Sequence, residues 1–233
     1  MNEGPDPGGA YPPAEIARKV ERLGVAKARA DTLTFFILAV LAGAFISIGA
    51  LFFVVVVTDS ALGYGVTRLL GGLSFSLGLI LVVVAGAELF TGNNLIAMAW
   101  ASRLIGTRDV LRSWVLAYVG NVAGCLGTVL LVAGSGVSSL GGGAVGKTAI
   151  ALAQAKAGLS VTEAFTRGVL CNALVCLAVW LAIGARSVTD KILAIVFPIT
   201  AFVAIGFEHS IANWFLLPYG WALGGPGGIP IDG

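Results

Sequence analysis

The feature that most constrains this chain is a series of long apolar segments that contain almost no charged residues. The segment from Thr32 to Val57, for example, has no Asp, Glu, Lys or Arg. A helix of about 20 apolar residues is long enough to cross the hydrocarbon core of a bilayer. A soluble domain usually has about 25% charged residues, whereas this chain has 11% charged and 58% hydrophobic residues. The sequence therefore predicts an integral membrane protein made of transmembrane helices.

Five apolar segments predict five transmembrane spans. The second span continues beyond Glu88 as far as Trp100, and the fifth is interrupted by Glu208 and His209. The last residues, GGPGGIPIDG, are too few and too rich in glycine and proline to cross a bilayer, so we expect a sixth span to be missing. We divide the chain into an N-terminal segment at 1–31, a transmembrane domain at 32–217 and a tail at 218–233. The predicted spans are Thr32–Val57, Leu69–Ala87, Ser113–Gly134, Gly168–Gly184 and Ile192–Leu217.

The distribution of Lys and Arg predicts the orientation of the chain, because basic loops tend to stay on the cytoplasmic side. Most of the basic residues belong to the N-terminal segment and to the loops on its side, so we expect a cytoplasmic N-terminus. Residues 13–31 predict an amphipathic helix along that membrane surface, with Ile16, Val20 and Leu23 on one side. The basic residues on the N-terminal side are Arg18, Lys19, Arg22, Lys27, Arg29, Arg103, Arg108, Arg112, Arg186 and Lys191, against Arg68, Lys147, Lys156 and Arg167 on the other.

Residues 141–148, GGGAVGKT, match the nucleotide-binding pattern G-x-x-x-x-G-K-[ST]. Such a loop needs a buried strand before it and a helix after it, so that backbone N–H groups face the phosphates. Here it follows a transmembrane span, lies on the predicted non-cytoplasmic side, and belongs to a chain with 33 glycines. We therefore interpret the match as accidental and expect no nucleotide. The net charge of +2 and the lack of a recognisable motif also argue against nucleic acid.

The three cysteines indicate neither a metal site nor a disulfide. Cys125, Cys171 and Cys176 all lie in apolar segments, and no two of them have C-x-x-C spacing. Buried free thiols are the simplest interpretation of such residues. We expect no metal and no cofactor.

Two matching interruptions carry most of the functional information. Glu88 is followed five residues later by Asn93, and Glu208 is followed five residues later by Asn213. Ionisable side chains and irregular backbone at membrane depth are tolerated only inside the protein or beside an aqueous path. Interruptions at corresponding places in two halves are typical of inverted repeats with a substrate path between them. We therefore predict two broken helices that meet at such a path.

Four polar residues in these spans are candidate site residues. We interpret Glu88 and Glu208 mainly as structural, each accepting hydrogen bonds from backbone N–H groups that are freed where its helix unwinds. A structural and a functional role are equally good explanations of His209, whose imidazole changes charge near neutral pH. Asn172 fits either a hydrogen bond between helices or a donor that lines a path.

Four segments of the chain resemble those of the formate–nitrite transporter family. They are VERLGVAKARADTL, AELFTGNN, CNALVCLAVW and GFEHSIANWF, and the similarity extends from about Glu15 to Tyr219. The resemblance implies a bacterial inner-membrane homopentamer in which each subunit is an aquaporin-like, six-helix bundle with its own pore. It also implies that Thr91 faces His209 at mid-pore, that Asn172 faces the pore, and that Lys156 lies at the outer mouth. The positions that match the family's narrow points are Phe75, Leu79, Leu89, Phe90, Val175 and Phe202.

The resemblance implies a channel for small monovalent anions such as formate or nitrite. Because a bare anion in an apolar constriction would lose its hydration at a high cost, our hypothesis is that it crosses as the protonated, neutral acid. Two roles stay open for His209: a proton relay, and a fixed cation that holds the anion. One alternative is an aquaporin-like channel for neutral solutes, although neither Asn93 nor Asn213 is followed by proline. Another is an inactive chain that lacks the sixth span. We expect no enzyme, because the nucleophile pattern G-x-S-x-G is absent from the sequence.

Overall fold

The computed structural model describes residues 9–224, and within this range the chain is helical and contains no strand. This confirms the expected all-α fold. Most of the tail predicted at 218–233 lies outside the described residues. Five helices, α2, α3, α6, α8 and α9, are long and apolar enough to cross a membrane. Helices α1 to α10 are, in order, Pro13–Ala28, Thr32–Val57, Tyr64–Ala85, Phe90–Asn93, Ala97–Ala101, Thr107–Gly134, Ala144–Ala157, Val161–Gly184, Val188–Ile205 and Ser210–Ala222.

The ends of several spans are set by polar caps rather than by the ends of the apolar segments. Helix α2 has the predicted bounds, and its first turn is capped by Asp31, whose carboxylate accepts the Thr34 N–H over 3.0 Å. This hydrogen bond holds the pKa of Asp31 below its ordinary value. Helix α8 begins at Val161, ahead of the predicted start, because Ser160 and Glu163 form a reciprocal capping box.

Both interrupted spans break at a glycine. Helix α3 ends before Gly86, which has a φ of 75°, and α9 ends before Gly206, which has a φ of 90°. Glycine adopts this left-handed backbone without the strain that a Cβ atom would cause. Helical structure resumes at Phe90 after the first break and at Ser210 after the second. Helix α10 then continues to Ala222, beyond the predicted end of the fifth span.

The apolar side of the N-terminal helix α1 packs mainly against the protein itself. Ile16 and Val20 are buried against the bundle, at 7% and 3% exposure, whereas Leu23 is 44% exposed. At Gly24, an added Cβ atom would lie 2.9 Å from the Cβ atom of Ala99 in α5. Helix α1 therefore covers one end of the bundle.

Helices α2 and α6 cross at a very short separation. An added Cβ atom would lie 2.0 Å from the Val40 carbonyl oxygen at Gly124, and 2.1 Å from the Asn121 carbonyl oxygen at Gly43. Small residues allow this approach, which favours van der Waals packing between helices in a membrane. The crossing places Asn121 beside the first break.

The loop with the nucleotide-binding pattern contains a helix that we did not predict, α7. A 3-10 turn at Val137–Ser139 precedes it, and residues 9–224 contain no strand that would complete a phosphate-binding loop. Helix α7 packs against α10, where an added Cβ atom at Gly220 would lie 2.5 Å from the Ala153 Cβ atom. The segment thus supports the second broken span.

Candidate functional site

The two broken spans bring Thr91 and His209 together inside the bundle. Thr91 lies in the short helix α4, and His209 is the residue immediately before α10. The Thr91 Oγ1 and His209 Nε2 atoms are 3.2 Å apart, and each residue is only 4% exposed. Two residues from different halves of the chain thus form a buried polar contact where the two breaks meet.

The hydrogen bonds of His209 indicate the tautomer of its neutral ring. The backbone N–H of Ala212 donates to Nδ1 over 3.1 Å and so caps α10. Nδ1 therefore presents a lone pair, and Nε2 has the proton, which it donates to the Thr91 hydroxyl. A second proton on Nδ1 would break the cap, and the positive end of the α10 dipole disfavours a cation here. The observed geometry is thus that of a neutral His209.

Two phenylalanine rings cover one side of His209. The Phe202 ring stacks on the imidazole with centroids 5.8 Å apart, and the Phe75 ring centroid lies 6.3 Å from it. The two phenyl rings pack edge to face at 5.6 Å. Together with His209 they line a cavity of about 440 Å³, which we call the Lys156 cavity. Its charged residues are Arg68, Lys156, Arg167 and Glu208.

A second cavity, of about 930 Å³, has α1 as one of its walls, and we call it the α1 cavity. Leu79 and Leu89 line it, and each is 2% exposed. Leu79 lies about one helical turn after Phe75 on α3, and Leu89 lies two residues before Thr91. The Thr91–His209 contact is therefore flanked by phenylalanines towards the Lys156 cavity and by leucines towards the α1 cavity.

The carboxylate of Glu88 in the first break is held by two side chains. The Lys27 ammonium donates to it over 2.5 Å, and Asn93 Nδ2 donates to the same oxygen over 2.8 Å. Lys27 also donates to Asn93 Oδ1 over 2.9 Å. This triad ties α1 to the first break.

The carboxylate of Glu208 in the second break has the same kind of partners. Lys156 on α7 donates to it over 2.6 Å, and Asn213 Nδ2 donates over 2.8 Å. Each break therefore contains a Glu, an Asn five residues later, and a Lys from another helix. The two asparagines could be found from the sequence because each follows its glutamate by the same five residues. Lys27 was missed, because we counted it only as a charge that sets orientation.

The backbone groups freed at the breaks are bonded by other residues than the two glutamates, which corrects the role that we gave Glu88 and Glu208. In the first break, Asn121 accepts the Phe90 N–H over 2.8 Å and donates to the Glu88 carbonyl over 2.9 Å. In the second, Arg68 donates to two carbonyls in the last turn of α9. Sequence reasoning missed Asn121 and Arg68.

Asn172 lies on α8 beside the polar contact. Its Nδ2 donates to the Cys176 sulfur over 3.7 Å, and the Cys176 thiol donates to the Thr91 carbonyl over 3.7 Å. Its Oδ1 is buried and has no hydrogen-bond partner among residues 9–224. Cys176, which we interpreted only as a buried thiol, thus belongs to the surroundings of Thr91.

Phe90 and Val175 line neither of the two cavities. The Phe90 ring packs against Tyr118 on α6 with centroids 5.1 Å apart, and Val175 is 1% exposed in the hydrophobic core. Leu89 and Phe90 are consecutive, so their side chains point in different directions, and only Leu89 reaches the α1 cavity. The predicted constriction residues that do line a cavity are Phe75, Leu79, Leu89 and Phe202.

The fold and the site define a class of protein. Apolar spans, two of them broken, enclose a buried polar contact that has an apolar barrier and a cavity on either side. This is the organisation of a membrane channel for small solutes. A family model described as formate/nitrite transporter matches residues 14–231, and the chain belongs to this family. The resemblance read from the sequence is thus confirmed.

The similarity to known proteins extends over most of the chain. The formate channel FocA of Escherichia coli strain K12 is 43% identical over 209 residues, which are 89% of this chain and 73% of that protein. A solved structure of a pentameric formate channel with formate bound has a TM-score of 0.77 and 40% identity, covering 82% of this chain and 76% of that one. A structure of an FNT family ion channel has a TM-score of 0.83 and 30% identity, covering 91% and 85%.

Proposed function

We propose that this chain forms a transmembrane channel for formate and similar small monovalent acids, and that each acid crosses the barrier as a neutral molecule. The observation that carries the proposal is the buried Thr91–His209 contact, which lies between two apolar constrictions and two cavities. The relatives, which are formate channels, support the choice of substrate.

The apolar constrictions argue against passage of a bare anion. Phe75, Phe202, Leu79 and Leu89 are all nearly fully buried, so an ion between them would lose its hydration shell. Moving an unpaired carboxylate into such surroundings has a free-energy cost of tens of kcal/mol by Born solvation. A neutral acid with one hydroxyl and one carbonyl avoids most of this cost, because the polar groups at the centre can pair with both.

The Lys156 cavity has the charge to concentrate the anion before it is protonated. Among the described residues, Arg68, Lys156 and Arg167 line it, and the carboxylate that lines it is that of Glu208. A positive potential raises the local concentration of anions. Loss of solvent towards Phe75 disfavours the charged form of the solute and so raises the pKa of the acid. The solute then takes its proton from water.

In the proposed mechanism His209 acts as a neutral hydrogen-bond donor rather than as a proton relay or a cation. Its Nδ1 is occupied by the Ala212 N–H, so only Nε2 faces Thr91. The Nε2–H group can donate to the acid's carbonyl oxygen, and the unpartnered Oδ1 of Asn172 can accept its hydroxyl. These two bonds replace those that the acid made with water.

Several further properties belong to the same proposal. We infer that the chain is not an enzyme, since the relatives are channels. We also infer that the chain forms a homopentamer in a bacterial inner membrane, which the pentameric relative supports. We infer a cytoplasmic N-terminus, which the excess of basic residues on the α1 side supports.

The test is stopped-flow uptake of formate into proteoliposomes at several pH values, with His209→Asn and His209→Phe. Asparagine preserves an acceptor for the Ala212 N–H and has no titrating proton, so we expect uptake that is slower but still rises as pH falls. Phenylalanine has neither an acceptor nor a donor, so uptake should fall to the level of empty liposomes. Loss of the pH dependence in His209→Asn with normal assembly would contradict the neutral-donor role. Glycerol uptake matching that of formate would favour the neutral-solute channel.

A further inference from the structure

The α1 cavity has a strong imbalance of charge that the passage of a small acid does not explain. Of the residues in the described range 9–224 that line it, five are cationic and one is anionic. The anionic residue, Glu88, is already paired with Lys27. The cations that line the cavity are Lys19, Arg22, Lys27, Arg186 and Lys191.

Two of these cations are held close together by an aromatic ring. The Lys19 ammonium lies 2.7 Å from the centroid of the Tyr11 ring, and the Arg186 guanidinium carbon lies 4.7 Å from the same centroid. Tyr11 is itself fixed, because its backbone N–H donates to the Gly184 carbonyl over 3.0 Å. The ring attracts both cations, but the two like charges repel each other, and a bound anion would offset that repulsion.

The guanidinium of Arg186 also has an unused donor. Its Nε atom is buried and has no hydrogen-bond partner among residues 9–224. Within the same range, Arg22 and Lys191 form no ion pair, and Lys19 has only a long contact of 3.9 Å with Glu15. A buried charged donor without a partner is costly, so this group of cations is better suited to a bound anion than to an empty cavity.

The size of the cavity indicates what kind of anion fits. Its volume of about 930 Å³ is within the range of sites for whole ligands, about 300 to 1,000 Å³. A formate ion can contact one or two of the cations at a time, whereas a polyvalent anion can bridge several. The planar guanidinium groups of Arg22 and Arg186 suit bidentate pairing with phosphate oxygens.

We propose that the α1 cavity binds a polyvalent phosphate anion between Lys19, Arg186 and Lys191, and that the bound anion closes this mouth of the pathway. The same chemistry is offered by a soluble phosphate compound and by an anionic lipid headgroup. Binding is independent of the proposed function, whereas closure of the mouth rests on it.

The binding test uses the full chain in nanodiscs of neutral phospholipid, titrated with inorganic pyrophosphate by isothermal calorimetry. Arg186→Gln and Lys191→Gln should each weaken binding about tenfold, the value of one charge-assisted hydrogen bond of about 1.4 kcal/mol. Arg108→Gln is the matched control, because Arg108 is exposed at the start of α6 and lines neither cavity. It should leave the affinity unchanged.

The result that would overturn the proposal is an absence of binding at millimolar pyrophosphate, or an affinity that Arg186→Gln and Lys191→Gln change no more than Arg108→Gln does. Repeating the titration in nanodiscs with anionic phospholipid separates the two sources. Weaker pyrophosphate binding there identifies a lipid headgroup as the competing occupant, and unchanged binding identifies a soluble anion. Both of these results support the site.

The closure test measures formate uptake with pyrophosphate on one side of the membrane at a time and at constant ionic strength. We expect inhibition from the α1 side only, and inhibition that Arg186→Gln relieves. Pyrophosphate binding without any inhibition would refute closure and leave the site standing. Failure of formate transport in every condition would instead count against the proposed function.

Discussion

Substitutions of Lys156 and Glu208 can show whether their ion pair acts through the charge that it gives the Lys156 cavity or only by fixing the second break. Lys156→Met removes a positive charge and leaves Glu208, whereas Glu208→Gln removes a negative charge and leaves Lys156. If the charge of the cavity concentrates the anion, the two variants should shift the apparent KM for formate in opposite directions. If the pair only fixes the second break, both should impair transport in the same way.

The magnitude follows from the geometry. The pair is joined over 2.6 Å, and the two side chains are 16% and 11% exposed. One unit charge at about 4 Å from a formate ion contributes about 1 kcal/mol in water and about 4 kcal/mol at an effective dielectric constant of 20. The lower value corresponds to a change of about fivefold in KM. We therefore expect KM to rise about fivefold in Lys156→Met and to fall by a similar factor in Glu208→Gln.

The assay is the initial rate of formate uptake into proteoliposomes over a range of concentrations, at low and high ionic strength. Both shifts should shrink at high salt, because the Debye length falls to about 3 Å at 1 M. Lys147→Met is the matched control, since Lys147 is an exposed lysine on the same helix that does not line the cavity. The thermal stability of each variant is also measured, so that a loss of folded protein is not mistaken for a change in transport. KM shifts of the same sign in Lys156→Met and Glu208→Gln would refute the electrostatic account.

Two further predictions concern the scaffold that holds the site. Asn121→Ala leaves the Phe90 N–H and the Glu88 carbonyl without their partner. Each buried group without a partner costs about 1–3 kcal/mol. We therefore expect the free energy of unfolding in mixed micelles to fall by at least about 2 kcal/mol. An unchanged unfolding midpoint would show that water replaces the amide. Gly124→Ala forces α2 and α6 apart, so we expect it to abolish the folded oligomer in size-exclusion chromatography. Gly127→Ala is the control, because Gly127 lies on an open part of the same helix, and it should leave the oligomer intact. Identical elution profiles for the two variants would contradict the close crossing.

The spans and both breaks could be predicted from the sequence because they depend on local properties. A long segment without charge predicts a membrane helix wherever it occurs, and a Glu at such a depth indicates an interruption. The comparison of Glu88–Asn93 with Glu208–Asn213 even indicated that the breaks are related. The bounds were less accurate, because caps such as Ser160 lengthen the helices beyond their apolar parts.

The partners of the polar groups could not be predicted, because they come from distant parts of the chain. Lys27 reaches Glu88 across 61 positions, and nothing local distinguishes it from its basic neighbours on α1. Asn121 is a single amide in an apolar helix, and only the close crossing with α2 places it at the break. The resemblance brought Phe90 into the set of constriction residues, but the direction of its side chain depends on packing against Tyr118.

The proton balance of transport tests the central claim most directly. Formate and protons entering proteoliposomes are counted together, with an internal pH indicator, while the membrane potential is clamped and the leak of empty liposomes is subtracted. Passage of the neutral acid predicts one proton for each formate and a rate that does not depend on the potential. Formate entry driven by the potential without accompanying protons would contradict the account.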